Sequence, residues 1–381
     1  MHRRIPPAAI ATGTMLGYII GVGVFGVPYA YVRGGVWWGV GVTLLAGIVM
    51  LLVHLMFAQI LIASGTQQRE VGIVGKYLGP RWRAVALGAA MLGIYGGLLA
   101  YIIAAGRFAD LLMPEALRFG PEIWGYLCFA LFVAFLVPGR AAMTRVEALL
   151  TFILLFAILA VLALVAPHAR LENMSWLAPR GMLGVFGVAV YALGGVAAVP
   201  TVLEIMGKDR AAGQRAVVRG TLFALGLTVL FGVIVAGASG LRTTEEAVRG
   251  LVPVTGSAIV QIAALFGLLG IATSFLPLAT YLHDVYTLDL KVPTWPAWLL
   301  TLLPPLLLFA SGERSFIRVI GFTGAVLVGT SNLLLIWSYL RARKILPVQK
   351  RALLRVPEGA ALFVAVVVII GALAEVSMSL R

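Results

Sequence analysis

The chain has 381 residues, of which 61% are hydrophobic and only 12% are charged, and its mean hydropathy is +1.03. Soluble domains carry about twice that share of charged residues, so the composition excludes a water-soluble protein and indicates one that lies in a lipid bilayer. The formal net charge of +14 raises the question of a nucleic-acid partner, which the distribution of the basic residues answers below.

Apolar segments follow one another along the whole chain, each of roughly 17 or more residues with few charges, the length that spans about 30 Å of hydrocarbon. They are continuous rather than alternating, which favours helices over a barrel. The sequence therefore predicts an all-α polytopic membrane protein with 11 transmembrane helices, at residues 9–33, 35–64, 84–113, 121–138, 144–166, 181–206, 216–240, 255–282, 295–311, 316–340 and 358–379.

Most of the 29 lysines and arginines fall on one side of the membrane when the loops are alternated from a cytoplasmic N-terminus. The positive-inside rule explains this asymmetry, and anionic lipid headgroups rather than nucleic acid explain the basic charge. We expect a multi-pass protein of the cytoplasmic (plasma) membrane, with its N-terminus cytoplasmic and its C-terminus extracytoplasmic. We also expect a monomer with the lipid bilayer as a partner and no nucleic acid.

A hexapeptide recurs at corresponding depths in helices 1 and 6. GVFGVP occupies residues 23–28 and GVAAVP occupies residues 195–200. Because the two copies are five helices apart, they enter the membrane from opposite sides, which is typical of transporters built from inverted repeats. The predicted organisation is a first five-helix repeat at 1–166, a second, inverted repeat at 181–341, and a basic loop with helix 11 at 342–381.

Each hexapeptide begins with a glycine and follows closely after another, which lets the helix open, and each ends on a proline that suits the first turn of a restarted helix. The residues are Gly21, Gly23 and Pro28 in helix 1, and Gly194, Gly195 and Pro200 in helix 6. Backbone N–H groups freed at such a break bind a carboxylate, and freed C=O groups suit an ammonium or sodium ion, so a zwitterion fits both. The alternative that stays open is a pair of kinked helices packed closely through glycine.

Three stretches resemble amino-acid permeases of the amino acid–polyamine–organocation superfamily. They are GTMLGYIIGVGVFGVPYAY in helix 1, FGVAVYALGGVAAVPTVLEIM in helix 6 and ALFGLLGIATSFLPLATYLHD in helix 8. The resemblance is closest to the auxin/amino-acid permease branch and to the bacterial hydroxy- and aromatic-amino-acid permeases. It implies the LeuT-type fold, a 5+5 inverted repeat plus helix 11 with helices 1 and 6 broken, and ion-coupled symport of amino acids.

Carried over by that resemblance, the substrate site has two sides. The helix 1 break would hold the substrate carboxylate, and the helix 6 break would line the amine and side-chain pocket. The residues are Gly21, Val22, Gly23 and Val24 in helix 1, and Tyr191, Ala192, Leu193, Gly194 and Gly195 in helix 6. In helix 3, Tyr95 and Tyr101 are candidate walls of the same pocket, although aromatic residues in helices more often serve packing.

Helix 8 offers an ion site, because Thr273 and Ser274 lie three and four residues after Gly270 and so share its helical face. Their hydroxyls and the carbonyls of Gly270, Gly17 and Ile20 would give five oxygens, a suitable cage for Na⁺. Sodium-coupled members of the fold place a sodium ion at the corresponding positions. The alternative is that both hydroxyls bond their own helix backbone. No other cofactor is expected.

These observations predict a secondary active transporter that imports a neutral amino acid by alternating access, coupled to Na⁺ (or H⁺). The scarcity of charges at mid-membrane favours a neutral substrate. An amino-acid sensor or receptor with the same fold and no net transport stays open as the alternative. An enzyme is not expected: GASG at 237–240 matches a serine-protease motif of rhomboids, but His283 is expected at the opposite membrane face.

Several other polar residues carry predictions. His54 in helix 2 is read as a structural imidazole that bonds a neighbouring helix, with a proton relay as the alternative. Arg107 and Asp110 are predicted to pair with each other along one helix face. Glu375 is expected to reach water near the outer end of helix 11. A pair between Arg3 or Arg4 and Asp284 or Asp289 is a candidate inner gate.

Overall fold

In the computed structural model, which describes residues 6–66, 68–136, 155–156, 158–179, 181–345 and 354–380, the chain forms helices and turns without a strand in those ranges. The helices are α1 (Pro7–Ile19), α2 (Val27–Gly34), α3 (Val36–Ser64), α4 (Glu70–Leu78), α5 (Pro80–Leu112), α6 (Pro121–Leu136), α7 (Ile158–His168), α8 (Val185–Ala192), α9 (Ala198–Met206), α10 (Arg210–Ser239), α11 (Val252–Thr255), α12 (Ser257–Asp284), α13 (Thr294–Ala310), α14 (Phe316–Phe322), α15 (Gly329–Ile345) and α16 (Glu358–Ser379).

Six helical stretches among the described residues are long and apolar enough to cross a membrane, and a seventh is the bent pair α1 and α2. The helices α6, α7 and α13 are apolar but shorter. The structure thus confirms an all-α chain with several membrane spans, while the count of eleven and the inverted repeat stay predictions. Part of the predicted span 144–166 lies outside the described residues.

Two helices, α2 and α3, end at a glycine whose backbone turn other residues resist. Gly35, between α2 and α3, has a φ of +98°, and a side chain there would also come within 2.6 Å of the Leu177 Cα atom. Gly65 follows α3 in the left-handed conformation with a φ of +63°. These turns reverse the chain between successive spans.

The bundle has two faces with different loops. The basic face holds the connections at 65–79 and 207–209 together with the ends of α12 and α15. The network face, on the opposite side, holds the end of α5, the loop 240–256, the turn 311–315 and the end of α16.

At the centre, α1 packs against α9 and α10, α8 packs against α3 and α14, and α5 packs against α6 and α12. This packing brings the ends of the short helices α1, α8 and α9 together in the middle of the bundle.

On the basic face, α4 packs against α5 and α15 and carries a buried carboxylate. The Oε1 atom of Glu70 is buried and has no hydrogen-bond partner among the described residues. Burial raises the pKa of Glu70 from its ordinary value of 4.5 to about 7, and an interaction with the Ser331 hydroxyl opposes that shift. Glu70 is therefore a group whose ionisation acts against the packing of α4.

We predict that Glu70→Gln removes a pH dependence of stability. Because the pKa is higher in the folded protein than in the unfolded chain, stability should fall as pH rises from about 4.5 to about 7, where the carboxylate becomes charged in its buried position. The melting temperature of the variant should exceed that of the wild type at pH 8 and match it at pH 5. Exposed Glu358→Gln is the matched control, and an equal gain at both pH values would contradict the prediction.

Candidate functional site

The first helix break lies between α1 and α2. Ile20 leaves the helical conformation with φ −76° and ψ 103°, Gly21 is extended with φ −139° and ψ −159°, and a 3₁₀ turn at Val22–Gly26 leads into α2. The two helices are bent by 50°. Pro28 stands in the first turn of α2, where its missing N–H is tolerated. The predicted opening of helix 1 is confirmed.

The second break separates α8 from α9. The Leu193 N–H still donates to the Ala189 carbonyl at 3.0 Å, and the next helix begins with the Ala198 N–H donating to the Gly195 carbonyl at 3.0 Å. Between these bonds, the N–H groups of residues 195–197 donate to no backbone carbonyl in the described part of the chain. The break in helix 6 is thus present as predicted, and its exposed donors lie at the positive amino end of α9.

The two breaks touch each other. A Cβ atom added at Gly23 would lie 2.8 Å from the Ala192 Cα atom and 2.8 Å from a ring carbon of Tyr191. A Cβ atom at Gly195 would lie 2.5 Å from the Ile19 side chain. Each break therefore packs against the helix end that borders the other, and glycine is the only residue that fits at these distances.

The glycines were predicted to let the helix backbone open, and the structure shows that two of them serve close packing instead. Gly21 has an extended φ that any residue adopts, and neither Gly194 nor Gly195 has a positive φ. What Gly23 and Gly195 supply is the absence of a side chain at the contact rather than backbone freedom. Gly21 differs from both, because a Cβ atom there would meet open space.

Hydroxyl groups from three helices lie close to one another next to Tyr191. The Tyr101 hydroxyl on α5 interacts with Ser274 on α12, and it lies near the Tyr191 hydroxyl on α8. A Cβ atom at Gly97 would lie 3.5 Å from the Tyr191 hydroxyl. The predicted residues of both breaks and Tyr101 thus lie together, and Gly97 joins them although the sequence argument missed it. The pair Gly96-Gly97 in the middle of helix 3 was the available signal.

Tyr95 is the substrate-site residue that the structure does not bring to the breaks. Its hydroxyl donates to the Leu300 carbonyl at 2.7 Å on α13 and shares a hydrogen bond with Tyr286, just after α12. Tyr95 and Gly97 are two residues apart on α5 and so point to different sides of the helix. Tyr95 therefore braces α5 against α12 and α13.

The predicted sodium ligands lie on helices with different packing partners. Gly17 is on α1, which packs mainly against α9 and α10, whereas Gly270 and Ser274 are on α12, which packs mainly against α5. Ser274 interacts with Tyr101, and the side chain of Thr273 lies outside the described residues. This sodium site, in which the Ile20 carbonyl would be one of five oxygens, stays a prediction.

The predicted gate falls partly outside the described residues, since Arg3 and Arg4 and the side chain of Asp289 are not among them. Asp284 lies 3.8 Å from the ring of His283.

In helix 2, the Nδ1 atom of His54 shares a hydrogen bond of 3.1 Å with the Thr221 hydroxyl on α10. That contact agrees with the structural reading of His54.

An ion network on the network face corrects the predicted pair between Arg107 and Asp110. Arg107 donates to Glu245 at 3.0 Å and to Glu246 at 2.9 Å, while Asp110 pairs with Arg249 at 2.7 Å. Both α5 residues thus reach across to the loop 240–256 instead of pairing along their own helix. The network joins α5 to this loop and, because Arg107 also donates to a carbonyl of the turn 311–315, to α14.

The hydroxyl group of Ser239, the serine of the protease-like motif, is hydrogen-bonded to its own helix and to Thr243. The Ser239 hydroxyl donates to the Val235 carbonyl at 2.8 Å and shares a hydrogen bond with Thr243. Ser239 ends α10 on the network face, whereas His283 lies near the end of α12 on the basic face.

We predict that Gly23→Ala destabilises the protein, because the new methyl group meets the Ala192 backbone, which cannot rotate away. Overpacking of this kind costs about 1–3 kcal/mol, which thermal melting in detergent would register as a lower melting temperature. Gly13→Ala on α1 is the matched control, since its Cβ atom would have nothing within 4 Å. Equal melting temperatures for both variants would contradict the close contact between the breaks.

A second prediction concerns the ion network. Arg107→Gln leaves Glu246, whose side chain is 3% exposed, without its cation, so we expect a loss of roughly 1–3 kcal/mol. Arg170→Gln is the control: the Arg170–Glu172 pair is 73% and 69% exposed, and its loss should cost at most about 1 kcal/mol. Adding Glu246→Gln to Arg107→Gln should restore part of the stability. Additive effects in that double variant would contradict the pairing.

Comparison with known proteins bears on this arrangement. A model of the tryptophan/tyrosine permease family matches residues 7–377. Tyrosine-specific transport system 1 of Haemophilus influenzae is 25% identical over 377 residues, which cover 91% of this chain and 91% of that protein.

Solved structures share the fold. A manganese transporter of Eremococcus coleocola, in complex with an aromatic bis-isothiourea substituted compound, aligns with a TM-score of 0.67 at 14% identity over 97% of this chain and 85% of that chain. A point mutant of that transporter aligns with a TM-score of 0.67 at 13% identity. Sequence identity this low supports a shared fold and nothing beyond it. The family model, in contrast, spans nearly the whole chain, and this multi-pass membrane protein therefore belongs to the tryptophan/tyrosine permease family.

Proposed function

We propose that the protein is a secondary active transporter that imports a neutral aromatic amino acid, tyrosine or tryptophan, by alternating access. The observation that carries the proposal is the contact between the two helix breaks at Gly23 and Ala192. Unpaired backbone groups in a membrane require a partner, and a zwitterion that enters from water supplies both a carboxylate and an ammonium group. Membership of the tryptophan/tyrosine permease family supports an aromatic side chain on that zwitterion.

In this proposal the substrate carboxylate binds backbone N–H groups of the helix 1 break, from Gly21 to Val24. The open space beside Gly21 supports that position. The ammonium group and the side chain face the helix 6 break, from Tyr191 to Gly195. The ring of the substrate lies beside Tyr101 and Tyr191, whose hydroxyls offer polar contacts to a phenol or an indole N–H.

The LeuT-type arrangement and the coupling ion belong to the same proposal. Na⁺ would bind between α1 and α12 once these helices close, through the oxygens of Gly17, Ile20, Gly270, Thr273 and Ser274. H⁺ is the alternative driving ion. The basic face is cytoplasmic, because its loops carry Arg69, Lys76 and Lys208. The ion network of Arg107 then closes the extracytoplasmic side.

The decisive test is uptake of radiolabelled tyrosine into proteoliposomes under a sodium gradient, a proton gradient, or neither. We expect accumulation under one gradient, competition by tryptophan, and little competition by lysine, because no charged side chain is proposed in the pocket. Gly23→Ala should abolish uptake, and Gly13→Ala should retain it. A thermal-shift screen of the twenty amino acids, with and without sodium, reports binding independently.

Stabilisation by tyrosine without uptake under any gradient would contradict the transporter and favour the sensor alternative. Preferential stabilisation by lysine or arginine would contradict the neutral pocket.

A further inference from the structure

A buried carboxylate in α16 contacts α8, the half of helix 6 that precedes its break. Glu375 was expected to reach water, but it is only 5% exposed. It faces two glycines on neighbouring helices: a Cβ atom at Gly187 of α8 would lie 3.0 Å from its Oε2 atom, and one at Gly321 of α14 would lie 2.9 Å from its Oε1 atom. The carboxyl group therefore rests on the backbones of α8, the first half of broken helix 6, and α14.

One oxygen of this carboxyl group has no hydrogen bond to any residue that the structure describes. The Oε2 atom of Glu375 is buried without a partner among the described residues. The hydroxyls nearest in sequence are engaged on their own helix, Ser377 with the Ala374 carbonyl at 2.7 Å and Ser379 with the Glu375 carbonyl at 3.1 Å. An ionised carboxylate in such a place is costly, whereas a carboxylic acid, which carries no net charge, is tolerated far better.

Glu375 also borders a route to water. It lines a cavity of about 340 Å³ that is bounded by α2, α8, α14 and α16 and reaches the network face at Glu245 and Ser315. That volume holds several water molecules. A proton from the network face can therefore approach the carboxyl group through this cavity, while larger ions meet a side chain that is almost completely covered.

The charged groups around the cavity have other partners. Arg33 of α2 lies 5.0 Å above the Tyr29 ring, Arg318 of α14 pairs with Glu313 at 3.0 Å, and Glu245 pairs with Arg107. The other elements packed against α16 are α3, α8, the π-helical turn 323–328 and α15, and they carry no acidic or basic side chain in the half near the network face. None of these charges pairs with Glu375 in this structure.

We propose that Glu375 is the proton-binding residue of the transport cycle, loaded from the network face and coupled to the helix 6 break through its contact with α8. One O–H bond of a hydronium ion in the cavity breaks and leaves a water molecule, a new O–H bond forms at a carboxylate oxygen, and the charge of the group changes from −1 to 0. The neutral acid stays seated against Gly187 and Gly321. The ionised carboxylate turns toward the water of the cavity and releases α8. This inference rests on the proposed function in its proton-coupled form.

The test compares the wild type with Glu375→Gln, which keeps the shape of the neutral acid, and with Glu358→Gln, an exposed glutamate of the same helix. Tyrosine accumulation driven by a proton gradient and tyrosine exchange without a gradient are measured in proteoliposomes. We expect the ratio of accumulation to exchange to fall at least ~10-fold in Glu375→Gln and to be retained in Glu358→Gln. The pH dependence of exchange should also flatten in Glu375→Gln.

A spectroscopic readout accompanies the flux measurements. The infrared spectrum of the wild type should contain the C=O band of a buried carboxylic acid that is missing in Glu375→Gln. If Glu375→Gln does not fold, Glu375→Asp takes its place, and its shorter side chain should shift the pH profile of accumulation.

The outcomes separate the two proposals. Absence of tyrosine exchange in the wild type would overturn the proposed function together with this inference. Proton-driven accumulation with an unchanged ratio and pH profile in the Glu375 variant would overturn the inference alone. Accumulation in the wild type that follows sodium and ignores pH would do the same.

Discussion

The structure depends on one constraint: polar backbone groups must not be left unpaired in lipid. A helix opened in the middle of a membrane exposes N–H and C=O groups that cost several kcal/mol each when nothing pairs with them. Here two such openings are placed against each other at the centre of the bundle, where Gly23 meets Ala192 and Gly195 meets Ile19. Protein rather than lipid surrounds the exposed groups, and a small zwitterion can complete their hydrogen bonds.

The long helices form a frame around the two helix breaks. Whereas α3, α5 and α10 are continuous and span the bundle, α1, α2, α8 and α9 are short pieces that meet between them. On the network face the frame is tied to the loop 240–256 through Arg107 and Asp110. In the proposed alternating-access cycle, these contacts would break when the network face opens. The Glu375 carboxyl group rests on α8 and lines a cavity that reaches this same face.

The sequence was sufficient for the features that depend on local pattern. Hydropathy predicted a chain of apolar helices, and the hexapeptides at 23–28 and 195–200 predicted both breaks, because the two copies recur at corresponding depths. The sequence did not reveal which side chains pair with each other across the fold. Arg107 pairs with residues 138 and 139 positions away, and a neighbour at i+3 was the best partner visible in the sequence. Glu375 looked accessible by depth alone, since only the packing of α8 and α14 covers it.

The glycines show the same division between local and tertiary information. Their presence indicated an opened helix, but Gly21 has an extended φ that other residues adopt, and neither Gly194 nor Gly195 has a positive φ. The reason for glycine at Gly23 and Gly195 is the closeness of another helix, which no single helix reveals. Gly97 on α5 belongs to the same class: the pair Gly96-Gly97 is visible in the sequence, but its approach to Tyr191 depends on how the helices assemble.

The most direct test of the central claim is a cryo-electron microscopy structure of the protein in lipid nanodiscs with tyrosine bound. The account predicts density for the amino acid between the two breaks, with its carboxylate at the backbone of residues 21–24 and its ring beside Tyr101 and Tyr191. Tyrosine bound elsewhere, with either break closed into continuous helix, would contradict it.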